Sequence, residues 1–401
     1  MNPVDGGITA VPGILAAGLC AGIKKTHLLD LALIVSERQA VIAGVLTRNK
    51  VVAAPVLLAR KHLRGGTARA ILANSGNANA CTGPQGAAHA QEMAALTAGL
   101  MGCPVREVFI GSTGVIGKPL PMDRIRTAIP RLVSQLSRQG GRMAARAIMT
   151  TDTKVKMAAA SQRIAGRQIT LGGIAKGSGM VHPDMATMLC YLATDLRISR
   201  IMLQRALRIA TQQSFNRLPL DGDTSTNDMV LCLANGVSGN APFTGVSAEA
   251  RQFQALLNAV CRQLAQMIAR DGEGATKFVE LRVTGARTEA EAIRVANTIA
   301  TSSLVKTAWF GQDSNWGRIM AAIGRAGVGI VENRISIFYG EIPVVRGGVG
   351  LGEAAEKQAN MVLRRPEFTL TVHLGQGRAS AIVWTSDLSL DYVKINASYR
   401  S

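Results

Sequence analysis

The chain of 401 residues predicts an α/β protein in which mixed sheets are layered with helices that cover at least one face of each sheet. Three observations lead there. Short apolar runs with strand character alternate with longer segments whose apolar residues recur every three and four positions. No linker, internal repeat or low-complexity tract interrupts that alternation. Hydrophobic residues make up 47% of the chain and aromatics only 4%, with Gly and Ala abundant, which favours a large core of closely packed helices and sheets.

In chain order, the strand-like runs are Leu29–Ser36, Ala40–Leu46, Ala70–Asn74, Val108–Ile110 and Val230–Ala234. They continue with Phe278–Val283, Ile335–Phe338, Phe368–His373 and Ala379–Trp384. Helical spacing covers Gly86–Met101, Asp123–Leu136, Arg200–Gln213, Ala248–Ala269 and Glu289–Thr301. Pro130 is expected to kink or split the second helix, because it lacks an N–H and crowds the preceding turn. Thr288 followed by Glu291 has the capping-box spacing that starts a helix.

Composition narrows the function classes. The formal net charge is +19, but Arg and Lys are scattered singly, and no zinc finger, basic helix or aromatic RNA-binding motif accompanies them. A solvated basic surface attractive to anionic metabolites is the better reading, and no nucleic-acid partner is expected. The six cysteines show no CxxC spacing and the five histidines are equally dispersed, so neither a metal site nor a disulfide framework is expected. A reducing cytoplasm fits this usage. The run Ile14-Leu-Ala-Ala-Gly-Leu-Cys20 looks superficially like a lipoprotein signal, yet no Lys or Arg precedes it and Leu19 stands where a small residue is needed. The apolar run from Val11 to Ile23 is too short for a bilayer span, so a soluble protein without a targeting segment is expected.

Four polar, glycine-rich stretches carry possible chemistry. Gly111-Ser-Thr-Gly-Val-Ile-Gly117-Lys118-Pro119 fails as a phosphate loop, with Ser112 where the first glycine belongs and Pro119 where Ser or Thr follows the lysine. It reads instead as a glycine loop presenting the Gly114 N–H and the Thr113 hydroxyl, two donors that can form an oxyanion hole. Asp221–Asp228 begins like a calcium loop but has Thr226 and Cys232 where the essential glycine and glutamate belong, so it is read as a polar network beneath a site. Asn74–Gly83 and Asp271–Lys277 place polar side chains among glycines at the ends of regular elements.

The fifth stretch, Lys176-Gly-Ser-Gly-Met-Val-His-Pro-Asp-Met-Ala-Thr187-Met-Leu189, sets a glycine loop and a proline ahead of Ala186–Thr187. It reads either as a turn into a buried strand or as a cleavage site. Cutting Ala186–Thr187 would give Thr187 a free α-amine able to act as base for its own hydroxyl.

Together with Ala16-Ala-Gly, Thr150-Thr-Asp-Thr153, Val305-Lys-Thr307, Asn315-Trp-Gly-Arg318 and Tyr392-Val-Lys-Ile-Asn396, these stretches occur in the order of a known family. The chain resembles the ornithine acetyltransferase family, also called the glutamate N-acetyltransferase family of arginine biosynthesis, nearly end to end. The resemblance implies an amino-terminal-nucleophile-like acetyltransferase fold and self-cleavage between Ala186 and Thr187 into associated fragments 1–186 and 187–401. It also implies ping-pong transfer of acetyl from N-acetylornithine to glutamate through Thr187, with Thr113 and Gly114 as oxyanion hole. Thr150, Lys176, Thr187, Glu273, Asn396 and Ser401 match the substrate-contacting positions, with Lys176 expected on a substrate carboxylate and Glu273 on the ornithine ammonium. No cofactor is implied; whether acetyl-CoA also serves as donor stays open, and the expected assembly is a heterotetramer, two of each fragment, or larger. Ser401 stands where the family commonly ends in threonine, which keeps a hydroxyl but drops a methyl. A same-chemistry alternative is a threonine amidase that uses water as acceptor.

Overall fold

The computed structural model describes residues 1–25, 27–182 and 188–398. Among them, nine strands form one sheet: β1 (Asn2–Pro3), β2 (Ile14–Leu19), β3 (Leu31–Leu46), β4 (Thr67–Asn77), β5 (Val108–Val115), β6 (Lys156–Ile164), β7 (Arg167–Lys176), β8 (Leu189–Thr194) and β9 (Met229–Ala234). Their order is β1-β6-β7-β8-β9-β3-β4-β5, with β2 paired to β3 off that path. The pairing is mixed: β4–β5 and β8–β9 run parallel, while β6–β7, β7–β8 and β3–β9 run antiparallel. Strands from both sides of residue 187 therefore hydrogen-bond in one sheet, with Lys176 of β7 opposite Leu189 of β8.

A second, six-stranded sheet contains β10 (Phe278–Ala286), β11 (Ser336–Tyr339), β12 (Ile342–Arg346), β13 (Val349–Gly350), β14 (Glu367–His373) and β15 (Ala379–Ser386), in the order β13-β12-β11-β14-β10-β15. The helices are α1 (Ala54–His62), α2 (Gly83–Met101), α3 (Met122–Ser134), α4 (Gly141–Ala147), α5 (Arg200–Gln212), α6 (Ala248–Arg270), α7 (Glu289–Ala300), α8 (Ser303–Phe310), α9 (Trp316–Gly324), α10 (Glu353–Leu363) and α11 (Leu390–Ser398).

Burial follows the helical period. On α6, Phe253, Leu256, Leu257, Val260, Cys261, Leu264 and Ile268 form one buried stripe that packs with α5 over β6–β9. Helices α2 and α3 cover the β2–β5 part of the sheet through Met93, Ala94, Ile125, Ile129 and Leu132. Ala292, Val295, Ala296 and Ile299 of α7 lie on the second sheet against Val279, Leu281 and Val383. The α/β layering expected from the sequence is the architecture observed. The Thr288 hydroxyl accepts the Glu291 N–H at 3.2 Å, so the capping signal does mark the start of α7.

Three local expectations need correction. The runs Leu29–Ser36 and Ala40–Leu46 are a single strand, β3, in which a shift of register against β4 between Val35 and Ala40 absorbs the polar interruption. Pro130 does not split its helix; α3 runs unbroken from Met122 to Ser134, and only the one hydrogen bond to the preceding turn is lost. Gly111–Gly114 is not a loop but the continuation of β5 to Val115. The β6–β7 hairpin escapes the strand pattern because it is rich in Ala and Gly. Its turn residues Ala165 (φ 50°) and Gly166 (φ 72°) both adopt the positive φ of a tight two-residue hairpin. Among the described residues, no helix is long and apolar enough to cross a membrane.

Candidate active site

A buried amide joins three of the stretches that the sequence singles out. Asn227 Nδ2 donates to the carbonyls of Ala78 (2.6 Å) and Ser112 (2.9 Å), bringing together the ends of β4, β5 and the Asp221–Asp228 segment. Ser112 Oγ donates to Asn74 Oδ1 at 2.6 Å, and Asn74 Nδ2 donates to Asn77 O at 2.8 Å. Asn74, Ser112 and Asn227 are all buried, so they act as scaffold. The polar network expected of Asp221–Asp228 is thus present, and Ser225, Thr226 and Asn227 border a cleft.

Thr113, Gly114, Thr150, Lys176, Glu273 and Asn396 line that same cleft. Ala186, Thr187 and Ser401 lie outside the described residues. At Gly114 (φ +128°) an added Cβ would sit 2.4 Å from the carbonyl carbon of Gly76, where β5 slips register against β4. Only glycine allows that approach together with that backbone conformation.

Lys176 ends β7 and is 2% exposed; its Nζ donates to Thr113 Oγ1 at 3.1 Å. With its oxygen receiving the ammonium, the Thr113 hydroxyl is set to donate its own hydrogen onward, as an oxyanion donor requires. Burial lowers the Lys176 pKa, an effect opposed by Asp152, Asp228 and Glu273 and reinforced by Lys156. Thr113→Val, which removes that donor at nearly constant volume, is expected to lower kcat by roughly 10²–10³ with the fold intact, read by steady-state rates beside a melting curve.

Behind the cleft lies a buried charge cluster that sequence reading missed. Lys156 Nζ bonds Asp152 Oδ1 at 2.6 Å and Asp271 Oδ2 at 2.5 Å, with all three side chains almost wholly buried. Asp152 accepts the Gly177 N–H (2.7 Å) and the Thr150 N–H (3.0 Å), and Asp271 accepts the N–H groups of Thr153 and Lys154. The cluster thereby fixes Thr150, the start of the 177–180 loop and the segment carrying Glu273. Burial alone would raise the Asp152 pKa, but Lys156 and then Lys176 hold it down at about 2. Asp152 and Asp271 were visible within singled-out motifs. Lys156 carried no local signal.

Glu273 faces the cleft from the turn after α6. Its N–H donates to Ser178 O at 2.9 Å, and its Oε2 accepts Asn396 Nδ2 of α11 at 2.9 Å. A Cβ on Gly179 would fall 2.2 Å from Glu273 Oε2, so the carboxylate lies directly against that glycine. The far side of the 177–180 loop is held by Asp221, which accepts the N–H groups of Met180 (2.5 Å) and Val181 (2.8 Å). Burial raises its pKa to about 6 although those amides favour the ionised form. Asp228 is fully buried, and its Oδ1 accepts the Met188 N–H at 2.8 Å.

The arrangement offers a hydroxyl donor backed by an ammonium at one end and an accessible carboxylate at the other. Such a cleft suits a substrate with a carbonyl to be polarised and a cationic group to be held.

The family model of the ArgJ family matches residues 15–401. The arginine biosynthesis bifunctional protein ArgJ of Geobacter sulfurreducens is 50% identical, with 98% of this chain and 100% of that protein covered. The protein of the same name from Symbiobacterium thermophilum is 49% identical with both chains covered in full. Among solved structures, a chain of arginine biosynthesis bifunctional protein ArgJ from Bacillus halodurans has a TM-score of 0.50 and 42% identity, covering 52% of this chain and 98% of that one. With end-to-end identity near one half and a family model spanning nearly its whole length, the chain belongs to the ArgJ family.

Proposed function

We propose that this protein is an acetyltransferase of arginine biosynthesis that moves acetyl from N-acetylornithine to glutamate through an acetyl-Thr187 enzyme, formed after self-cleavage between Ala186 and Thr187. Membership of the ArgJ family supports the pathway, since its relatives carry the name of an arginine biosynthesis protein. The observation that carries the chemistry is the cleft shared by Thr113, Gly114, Lys176 and Glu273, which Gly179 and Met180 of the stretch before Thr187 also line. The Bacillus halodurans chain matches 52% of this one over 98% of its own length, which is the length expected of one fragment if the chain is cut near its middle.

In the proposed cycle the free α-amine of Thr187 takes the hydroxyl proton as Oγ attacks the acetyl carbonyl of N-acetylornithine. Negative charge on the carbonyl oxygen is met by the Thr113 hydroxyl and the Gly114 N–H. Ornithine leaves with a proton returned by the amine, and glutamate attacks the acetyl ester to give N-acetylglutamate. Lys176 supplies positive charge for a substrate carboxylate, Thr150 and Asn396 border the bound substrate, and Glu273 holds the ornithine side-chain ammonium. Ser401 is proposed to add a further substrate contact. The word bifunctional in the relatives' names supports a second donor, for which we propose acetyl-CoA. The proposed assembly has two copies of each fragment, to be read from its mass in solution.

The test is a donor–acceptor assay. N-acetylornithine with glutamate is expected to yield N-acetylglutamate and ornithine in equal amounts; release of free acetate instead would make the protein an amidase. For Glu273→Lys, kcat/KM with N-acetylornithine is expected to fall by roughly 10²-fold. N-acetylnorvaline, the same skeleton without the side-chain ammonium, is expected to lose much less. Equal losses with both donors would remove Glu273 from that role.

A further inference from the structure

Asp228 stands out among the buried ionisable groups. It is wholly buried at the residue preceding β9, and its backbone carbonyl is already used by the Thr47 N–H at 3.0 Å. Its Oδ1 accepts the Met188 N–H at 2.8 Å, and the Met188 carbonyl accepts the N–H of Met229 at 3.1 Å. The residue after Thr187 is therefore clamped on both sides by the start of β9. Oδ2, by contrast, is buried and has no hydrogen-bond partner of ordinary geometry among the described residues, although the Ser225 hydroxyl is near enough to favour the ionised form. An unengaged carboxyl oxygen in a water-excluded site is costly to keep without a role.

Chain connectivity says what that oxygen can reach. Covalent bonds alone keep both the nitrogen and the hydroxyl oxygen of residue 187 within about 5 Å of the Met188 nitrogen, whatever the conformation between. Oδ2 is bonded to the same carboxyl carbon as the oxygen that holds this nitrogen.

Resting on the self-cleavage proposed above, we propose that Asp228 is the proton carrier of that cleavage. Thr187 Oγ bonds to the Ala186 carbonyl carbon while the bond from that carbon to the Thr187 nitrogen breaks. The carboxyl gives its Oδ2 proton to the departing nitrogen and takes up the proton lost by Oγ, so it ends as it began. The product is an ester of Ala186 on Thr187 with a free α-amine, which water then hydrolyses to give residues 1–186 a terminal carboxylate. No other reactant is required.

The electrostatics agree with the role. Burial raises the Asp228 carboxyl well above the ordinary range, against the opposing pull of the Met188 N–H and Lys176, which is the charged group facing it from β7. A neutral Asp228 has a proton to give. It also adds no negative charge of its own that would favour the charged, inactive form of the newly formed amine.

The experiment follows the uncut chain made by cell-free synthesis at a series of pH values, with fragments read by intact mass. Asp228→Asn keeps an acceptor for the Met188 N–H but has no proton to transfer. Cleavage is expected to slow by roughly 10²–10⁴ with the melting temperature unchanged, whereas a rate within about threefold of wild type overturns the proposal. In the wild type the rate is expected to decline as pH rises through the elevated Asp228 pKa; a rate that climbs with pH overturns the proposal as well. That wild-type profile decides the matter even if Asp228→Asn does not fold. A wild-type chain that never cuts would sink the parent reading of self-cleavage instead.

Discussion

Thr187→Ala is expected to leave one uncut chain of 401 residues with acetyl transfer reduced by at least about 10⁴-fold. Alanine removes the hydroxyl that would attack the Ala186 carbonyl and, in the mature enzyme, the hydroxyl that would carry acetyl. The amine that would serve as base never forms either, so two functions are lost with one oxygen. An α-amine has a reference pKa of roughly 7.7–8.0, and a cation close to it would enlarge its neutral fraction near pH 7. The uncut variant should still fold. The sheet is built from strands on both sides of the bond, and β7 pairs with β8 across it whether or not the bond is cut. The same pairing explains how fragments 1–186 and 187–401 would remain together. Gel mobility, intact mass and the transfer assay check all three points.

Lys156→Met should have the largest effect on stability. It removes the cation between Asp152 and Asp271 and leaves two carboxylates with almost no solvent, a change that typically costs about 3–5 kcal/mol. Activity should fall with it, because Asp152 holds the Thr150 and Gly177 amides and Asp271 holds the chain leading from Thr153 toward β6. The sign of the pH dependence follows from Asp152. Its folded pKa of about 2 lies below its ordinary value of 3.8, so the stability it contributes is present above pH 3.8 and is lost as pH falls through 2. For a carboxyl this buried the contribution is about 2 kcal/mol. In Lys156→Met the main cause of the depression is gone, and acid unfolding should begin at higher pH than in the wild type. Denaturation curves across pH 2–7 read both effects; equal acid midpoints would contradict the assignment.

What the sequence made legible follows the range of the interactions involved. Long amphipathic helices such as α6 declare themselves because their apolar period is local, and so does the cap at Thr288. The two halves of β3 read as separate strands because their continuity depends on pairing partners as distant as β4 and β9. Gly111–Gly114 looks like a loop because glycine and serine disfavour strands, yet β4 holds it in register as far as the slip at Gly76. In the site, Thr113, Gly114, Thr150, Lys176, Glu273 and Asn396 were picked out by motif and meet in one cleft. Their supports were less visible. Lys156 lies in an unremarkable run of small residues, and nothing near it announces an ion pair with Asp271 more than a hundred positions away. Asp228 was inside a motif already read as a polar network, but its clamp on Met188 exists only through the β8–β9 pairing.

The central claim is that Thr187 becomes an amino-terminal nucleophile that carries acetyl between two amino acids. Intact mass of the purified protein, before and after N-acetylornithine is added without glutamate, tests it most directly. Two chains are expected, the second beginning at Thr187 and gaining the mass of one acetyl group with the donor, then losing it when glutamate is supplied. A single uncut chain, or a second chain that never gains the acetyl group under conditions where transfer is running, would contradict it.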